Sequence, residues 1–544
     1  MGNRSKNTSR YYHDLKIFHN GGDSVILKNK FKVDRIYDME EISDKLYAQG
    51  KSGKIFNQLY NLIIGEDNIL LAMKNIKLTI NRNTKGSDGK TIADYENIST
   101  EKLIQIVKQR FVRFRPMKVR RIFIPKSNGT QRSLGILTFE DRLIQQCVKQ
   151  ILEPICEAKF HSNSFGFRPL RSTKHAISKM ILLMQMTKYD YCVDIDIKDF
   201  FDNVDRNVLM NQIYNLGIRD KKLLSILSKM FKVEIEGEGI LKNGLVQGGV
   251  LSPLLSNIVL NELDWWINSQ CKMESNNQNP VNRVYFIRYA DDFKILCKTY
   301  SDAFKVFNTV KLWLKEKLHL NISQEKSKIL NLKTQGSEFL GFKVKSSMKN
   351  GMYSVESYIS ESNKLKIKNT LCNIISRINN NGNNAEKILN ELNKQIITLH
   401  NYYESATNVN QDFSIVAKQC KTLLDDKLKN IAREVAFEST NIVIMTYQIN
   451  GTTLIPIEYV NYKKPENFPQ DMNIYTKVGR QKASAFKLSK NNILKYKFEN
   501  LVEKKNNASE IENIHLREES SNFGLMGKLN NFLLRVEKYL VFSL

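Results

Sequence analysis

Hydrophobic positions recur along the 544-residue chain in two rhythms. In DRLIQQCVKQILEPICEAKF (141–160), Leu143, Ile144, Val148, Ile151 and Ile155 share one face of a 3.6-residue period, which predicts an amphipathic helix. Between 190 and 345 the rhythm changes to short β-prone runs: YCVDIDI (191–197), VYFIRYA then DFKILCK (284–298), and FLGFKVK (339–345). Among them LSPLLSNIVLNELDWWI predicts a helix opening behind Ser252-Pro253. Strands and helices mixed in this way indicate an α+β domain. After 355 helical spacing returns, first in Ile367, Leu371, Ile375 and Ile378, which the NNNGNN run (379–384) interrupts. Leu389, Leu392, Ile396 and Leu399 form a second stripe, and Phe413, Val416, Cys420, Leu424 and Leu428 a third. Lys418, Lys421, Lys427 and Lys429 lie beside the third. IVIMTYQINGTTLIPIEYV (442–460) reads as a hairpin turning at Asn450-Gly451.

These rhythms divide the chain into five stretches. Residues 1–60 are a polar, basic extension with one or two short helices; 61–190 are helices broken by loops; 191–350 carry the strands; 351–440 are helical; 441–544 form a basic closing module, Lys- and Asn-rich beyond 480. No internal repeat is visible. A hydrophobic share of 42%, with 27 Phe and 22 Tyr, excludes wholesale disorder. No apolar run approaches the roughly 18 residues a membrane span needs, and the basic start MGNRSKNTSR leads into no apolar segment, so neither a span nor a secretory signal is expected. Lys6 stands where a myristoylation motif needs Ser or Thr. Seven scattered cysteines without a C-x-x-C pair read as reduced thiols of an intracellular protein and offer no zinc site; the compartment expected is the bacterial cytoplasm, or else an organelle.

Charge adds a partner. With 83 Lys+Arg against 56 Asp+Glu, the net charge of +27 attracts polyanions, nucleic acid first. A solvated basic protein from an AT-rich genome would show the same surplus. Arg110, Arg113, Arg115, Lys118, Arg120 and Arg121 concentrate part of it ahead of the strand-like IFIPK and the turn Asn128-Gly129.

The chemistry gathers at Tyr289-Ala290-Asp291-Asp292, between two apolar β-prone runs. Adjacent carboxylates at a hairpin tip suit a divalent cation, since desolvating both is costly unless a cation neutralises them; an exposed turn would also use Asp. In YCVDIDIKDFFDNVD, Asp194 and Asp196 share one face of a strand, opposite Val193, Ile195 and Ile197. An acid from this strand beside the hairpin makes an oxygen cage for two ions about 3.5–4 Å apart, the arrangement of phosphoryl transfer.

The ordered series resembles the reverse transcriptases of group II introns, the intron-encoded maturases. DIKDFFDNVD is similar to their third block, QGGVLSPLLSNI (247–258) to the fourth and RYADDF (288–293) to the fifth. LNISQEKSKI (320–329) and EFLGFKV (338–344) resemble the sixth and seventh. FIPKSNGTQRSLGILTFEDRLIQ (123–145) and HSNSFGFRPLRST (161–173) resemble the fingers blocks, and LHNYYESATNVN (399–410) the end of the thumb-like maturase region.

The resemblance implies a right-hand polymerase of fingers, palm and thumb that copies RNA into DNA from dNTPs on a primer and binds a structured intron RNA. It implies that Asp196, Asp291 and Asp292, with the carbonyl of Ile197, hold two Mg²⁺, with Mn²⁺ able to substitute; Asp194, Asp199, Asp202 and Asp205 do not match. Lys126 and Arg132 would clasp the triphosphate. Phe201 would exclude a ribose 2′-hydroxyl, Gln247 with Gly248-Gly249 would line the nucleotide pocket, and Tyr289 and Ala290 would sit beside the primer end. Template or RNA contacts fall to Arg120, Arg121, Arg168, Lys326, Lys418 and Lys421. Phe165 and Phe167 could stack on bases or pack internally. No cysteine follows Cys420 and His515 is the only histidine after His400, so the H-N-H nuclease of many relatives is not expected. That leaves a free-standing or domesticated reverse transcriptase, for instance in antiphage defence, and a splicing-only RNA-binding protein as alternatives.

Overall fold

A computed structural model describes residues 39–79, 84–125, 131–270, 284–379, 384–439, 442–469 and 471–486. Most of the expected basic extension, the Asn128-Gly129 turn and the tail beyond 486 lie outside them. Helices α1 (39–51), α2 (Tyr60–Ile63), α3 (Glu66–Thr79) and α4 (Thr100–Val112) precede the hairpin of β1 (Arg120–Pro125) and β2 (Gln131–Ile136). Then come α5 (Phe139–Glu157) and α6 (Thr173–Thr187). All five residues of the 141–160 stripe are buried in α5, whose start is fixed by the Thr138 side chain accepting from the Asp141 N–H.

Strand β3 (Tyr191–Ile195) leads through α7 (Phe200–Asn203), α8 (Arg206–Asn215) and α9 (Lys221–Phe231) to the short pair β4 (Glu234–Ile235) and β5 (Gly239–Ile240). Helix α10 (Ser252–Gln270) follows, as its sequence predicts, then β6 (Val284–Tyr289), β7 (Asp292–Cys297), α11 (Tyr300–Leu318) and β8 (Lys328–Asn331). These strands form one antiparallel sheet in the order β6-β7-β3-β8.

That sheet separates two cores. Val193, Ile195, Phe286, Phe293 and Ile295 face the first, built with α3, α5 and α10. Cys192, Ile287, Tyr289 and Leu296 face the second, shared with α6 and the helices that follow. The alternation is the period of two acting on strands covered on both sides, and it puts Asp194 and Asp196 on the side of the second core.

A second antiparallel sheet, β9 (Ser337–Phe339), β10 (Phe342–Lys349) and β11 (Met352–Ile359), joins the central sheet to α12 (Glu361–Ile375), α13 (Ala385–Tyr403) and α14 (Val409–Leu428). The first two helical stripes are buried throughout; in the third, Leu424 is only half-buried. Gly341 (φ 81°) sits where a Cβ would come within 2.3 Å of Asn363 Nδ2, so this turn packs directly on α12. Strands β12 (Arg433–Ser439), β13 (Ile442–Ile449) and β14 (Thr452–Thr453) make a third antiparallel sheet. Its Asn450-Gly451 turn has both loop residues at positive φ, the type I′ pattern. The expected divisions at 350/351 and 440/441 fall inside hairpins: Lys349 pairs with Met352, and Ser439 with Ile442.

The chain then returns to α1. Lys463 pairs with Glu404 (3.0 Å), Arg171 lies over the Phe468 ring, and Tyr475 stacks on Tyr47 of α1 with ring centroids 5.5 Å apart. In helix α15 (477–486), Arg480 makes a two-pronged contact with Asp44, both at 2.7 Å. No helix among the described residues is long and apolar enough to cross a membrane.

Candidate active site

Pairing of β6 with β7 ends at Tyr289 and Asp292, leaving Ala290 and Asp291 as a two-residue tip. Ala290 adopts φ 57°, a region a residue with a Cβ rarely enters. Strand β3 lies against β7 with Ile195 opposite Phe293. The same register, continued past the last paired residues, sets Asp196 opposite Asp292 and Ile197 opposite Asp291. The Asp196 carbonyl accepts from Ser323 N–H (2.8 Å), and Lys198 N–H donates to the Asn321 carbonyl (2.9 Å). Antiparallel alternation then turns the carbonyl of Ile197 to the other side, toward the tip.

The acids are electrostatically coupled. Burial raises the Asp291 carboxyl above its ordinary range and the Asp196 charge raises it further, while a hydrogen bond from the backbone, Arg132 and Arg288 oppose the rise. Burial also pushes Asp292 up to about 6, against the pull of Lys294, with Asp194 and Asp291 adding to the rise. Asp292 Oδ1 lies 3.1 Å from Lys294 Nζ, and Asp196 Oδ2 lies 3.5 Å from Lys326 Nζ. Protein crowds Asp292 from behind, yet its side chain, like that of Asp196, remains 41% exposed. Among the described residues no three His, Cys, Asp or Glu side chains converge closely enough to enclose an ion as they stand. Mutually repelling hard-oxygen donors, two of them open to solvent, nonetheless fit divalent cations.

The other expected residues divide. Lys126 lies outside the described residues. Arg132, on β2, is close enough for its charge to act on Asp291. Gln247 is half-buried, its carbonyl accepting from Gly135 N–H of β2 at 2.7 Å. Gly248 (φ 102°) lets the loop approach: a Cβ there would come within 2.8 Å of the Gly135 carbonyl. The glycine thus serves contact with the β1–β2 hairpin, which carries Arg132. Phe201, on α7, is half-buried against the first core. Tyr289, just before the tip, and Ala290, within it, are both buried. Lys326 belongs to the acid cluster itself, whereas Lys418 and Lys421 are exposed on α14.

Arg168 requires correction. Its guanidinium is buried, forked onto Glu157 and donating to the carbonyls of His161 (2.6 Å) and Ser164 (2.8 Å), so it has no face to offer a template. Within the basic run, Arg121 is paired with Glu238 (2.6 Å), Lys118 with Glu234, Arg110 with Asp141, and Arg120 donates to the Lys85 carbonyl. Arg113, Arg115 and Lys118 are exposed. Phe165 is buried, in keeping with packing. Asp194, unmatched in the sequence comparison, is the partner of buried Lys294, at 2.5 Å. Asp205 caps α8, and Asn203 hydrogen-bonds the nearby Lys198 and Asp199 carbonyls.

Residues 124–344 match the sequence family described as reverse transcriptase (RNA-dependent DNA polymerase). Protein YkfC of Escherichia coli (strain K12) is 32% identical over 271 residues, 44% of this chain and 71% of YkfC. The group II intron-encoded protein LtrA of Lactococcus lactis subsp. cremoris is 30% identical over 369 residues, 56% of this chain and 59% of LtrA. Nuclear intron maturase 1, mitochondrial, of Arabidopsis thaliana is 33% identical over 94 residues, 17% of this chain and 13% of that protein. The α+β palm with its Asp-Asp tip and the match over 124–344 define a reverse transcriptase. The chain belongs to the group II intron reverse transcriptase and maturase family.

Proposed function

We propose that this protein copies RNA into cDNA by two-metal nucleotidyl transfer, and that it binds a group II intron RNA to assist splicing and retrotransposition. The observation that carries the reading is the register setting Asp196 and Ile197 opposite Asp292 and Asp291 at an open sheet end, with Arg132 in electrostatic reach. Asp196, Asp291, Asp292 and the Ile197 carbonyl would hold two Mg²⁺, which when bound supply Lewis acidity for the primer 3′-hydroxyl and charge neutralisation for the triphosphate. Arg132 and Lys126 hold and orient the triphosphate, Arg132 as a fork and Lys126 as a point charge. Phe201 excludes a 2′-hydroxyl by bulk. Gln247 and its glycines shape the nucleotide pocket, and Tyr289 and Ala290 back the primer end. Exposed Lys418 and Lys421, with Arg113 and Arg115, are free to meet phosphates. The relatives' names, an intron-encoded protein and an intron maturase, support the intron partner.

The test is primer extension on an RNA template with dNTPs and Mg²⁺ (then Mn²⁺), run beside Asp291→Asn. Cation-dependent cDNA from the parent alone, with RNA binding kept in both, is the expected result. Equal loss of RNA binding and synthesis would overturn the role of Asp291. Tight RNA binding without product from either protein would favour a splicing-only role.

A further inference from the structure

We propose that Arg288, Asn257 and Asp264 form a buried positioning clamp that sets the Ala290-Asp291 tip in its metal-binding conformation, an inference resting on the polymerase reading above. Arg288 is 1% exposed. Its Nε and Nη2 donate to both oxygens of Asp264 at 2.7 and 2.6 Å. Its Nη1 reaches forward, donating to the Ala290 carbonyl at 2.7 Å and to Asn257 Oδ1 at 3.0 Å. Asn257 Nδ2 in turn donates to the Gly166 carbonyl at 2.8 Å. Asn257 and Asp264 lie seven residues apart on α10, two turns along one face.

Gly166 closes the cage from the other side. A Cβ on it would stand 2.4 Å from the Ala290 nitrogen and 3.0 Å from the Tyr289 carbonyl carbon. Its segment is tied to the hairpin by main-chain bonds: Phe165 N–H to the Arg288 carbonyl (2.9 Å) and Arg288 N–H to the Asn163 carbonyl (3.0 Å). Ala290, the residue leading into Asp291, is therefore held at its carbonyl by a guanidinium and packed at its nitrogen by a glycine.

Two physical points favour positioning over ordinary core packing. A buried ion pair contributes little net stability compared with apolar residues of the same volume. Here one arm of the cation is directed to the carbonyl of a residue at φ 57°, a strained state that persists only when its surroundings over-determine it. The direction of that peptide fixes where the Asp291 carboxylate starts.

The experiment uses the full chain and the variants Asn257→Ala, Arg288→Lys and Arg288→Ala. Hydrogen exchange of the metal-free proteins should show faster exchange in peptides covering 284–297, with other palm peptides unchanged. Mn²⁺ titration followed by electron paramagnetic resonance should show affinity weakened roughly 10- to 100-fold, the range for residues that orient metal ligands. kcat should fall while dNTP KM and primer–template affinity hold, and Arg288→Lys should keep more kcat than Arg288→Ala. If the lysine variant does not fold, Asn257→Ala decides alone. Unaltered tip exchange and Mn²⁺ affinity in a folded variant would make these residues a core pair and overturn the clamp, as would a parent that binds no Mn²⁺. A parent that binds Mn²⁺ with the expected variant defects yet makes no cDNA would sink the polymerase reading and leave the clamp standing.

Discussion

Phe201 shows what a single side chain is asked to do. It is anchored by its carbonyl, which accepts from Leu245 N–H at 2.7 Å, and by an edge contact with Phe200, while its ring remains partly exposed. Phe201→Ala should admit rNTPs into cDNA on the RNA template; unchanged sugar selectivity would reject the gate. Arg168 teaches the converse. Sequence displays a charge but not its partner, and Glu157 lies eleven residues away on the preceding helix. Glu157 is held toward its charged form by Arg168 against a burial that raises it. Removing the arginine strands a buried acid, so Arg168→Ala should destabilise the protein by about 3–5 kcal/mol. Thermal melting would register that loss, whereas RNA affinity measured well below the transition should hardly change. Asp196, Asp291 and Asp292 stood out in sequence because acids inside apolar β runs are locally improbable. Arg288 did not, since an arginine ahead of a turn carries no local sign of Asp264 beyond the intervening chain.

Elements were read with similar unevenness. The stripes that became α5, α12 and α13, and the period of two in β3, are local patterns, so the sequence carries them whole. What it does not carry is how closely two loops may approach, because that depends on an absent side chain at a tertiary contact. Gly166 is the clearest case: its φ is not left-handed, so nothing in its own backbone demands glycine, and only the 2.4 Å approach to Ala290 does. Gly166→Ala should therefore fold with an unchanged far-ultraviolet spectrum but displace the tip. A shift near 1 Å can cost on the order of 100-fold in rate, which single-turnover extension would measure. Wild-type rates from a folded Gly166→Ala protein would show that the hairpin is not held from this side.

At the scale of the whole molecule, the chain beyond the helical domain returns to α1 and ties it to α5 and Glu404. Nothing local in 441–544 signals this contact, since Arg480 and Asp44 are 436 residues apart and no periodicity links them. The strap is held by two unlike contacts whose sizes can be ranked. Arg480 is 27% exposed in its pairing with Asp44 and Glu40, so after solvent screening the contact should contribute roughly 1 kcal/mol. Tyr475 is 5% exposed, stacked on Tyr47 with its hydroxyl donating to Glu153 at 3.2 Å, and truncating a buried aromatic of this kind costs about 3–5 kcal/mol. Limited proteolysis of 461–486 should thus accelerate slightly in Arg480→Ala and strongly in Tyr475→Ala. Salt separates the two contributions, because a half-exposed ion pair weakens with ionic strength and an apolar stack does not. Raising salt should bring the parent toward Arg480→Ala and leave Tyr475→Ala as far from the parent as before. A strap released by salt alone would mean that the arginine, not the tyrosine, holds the two ends together.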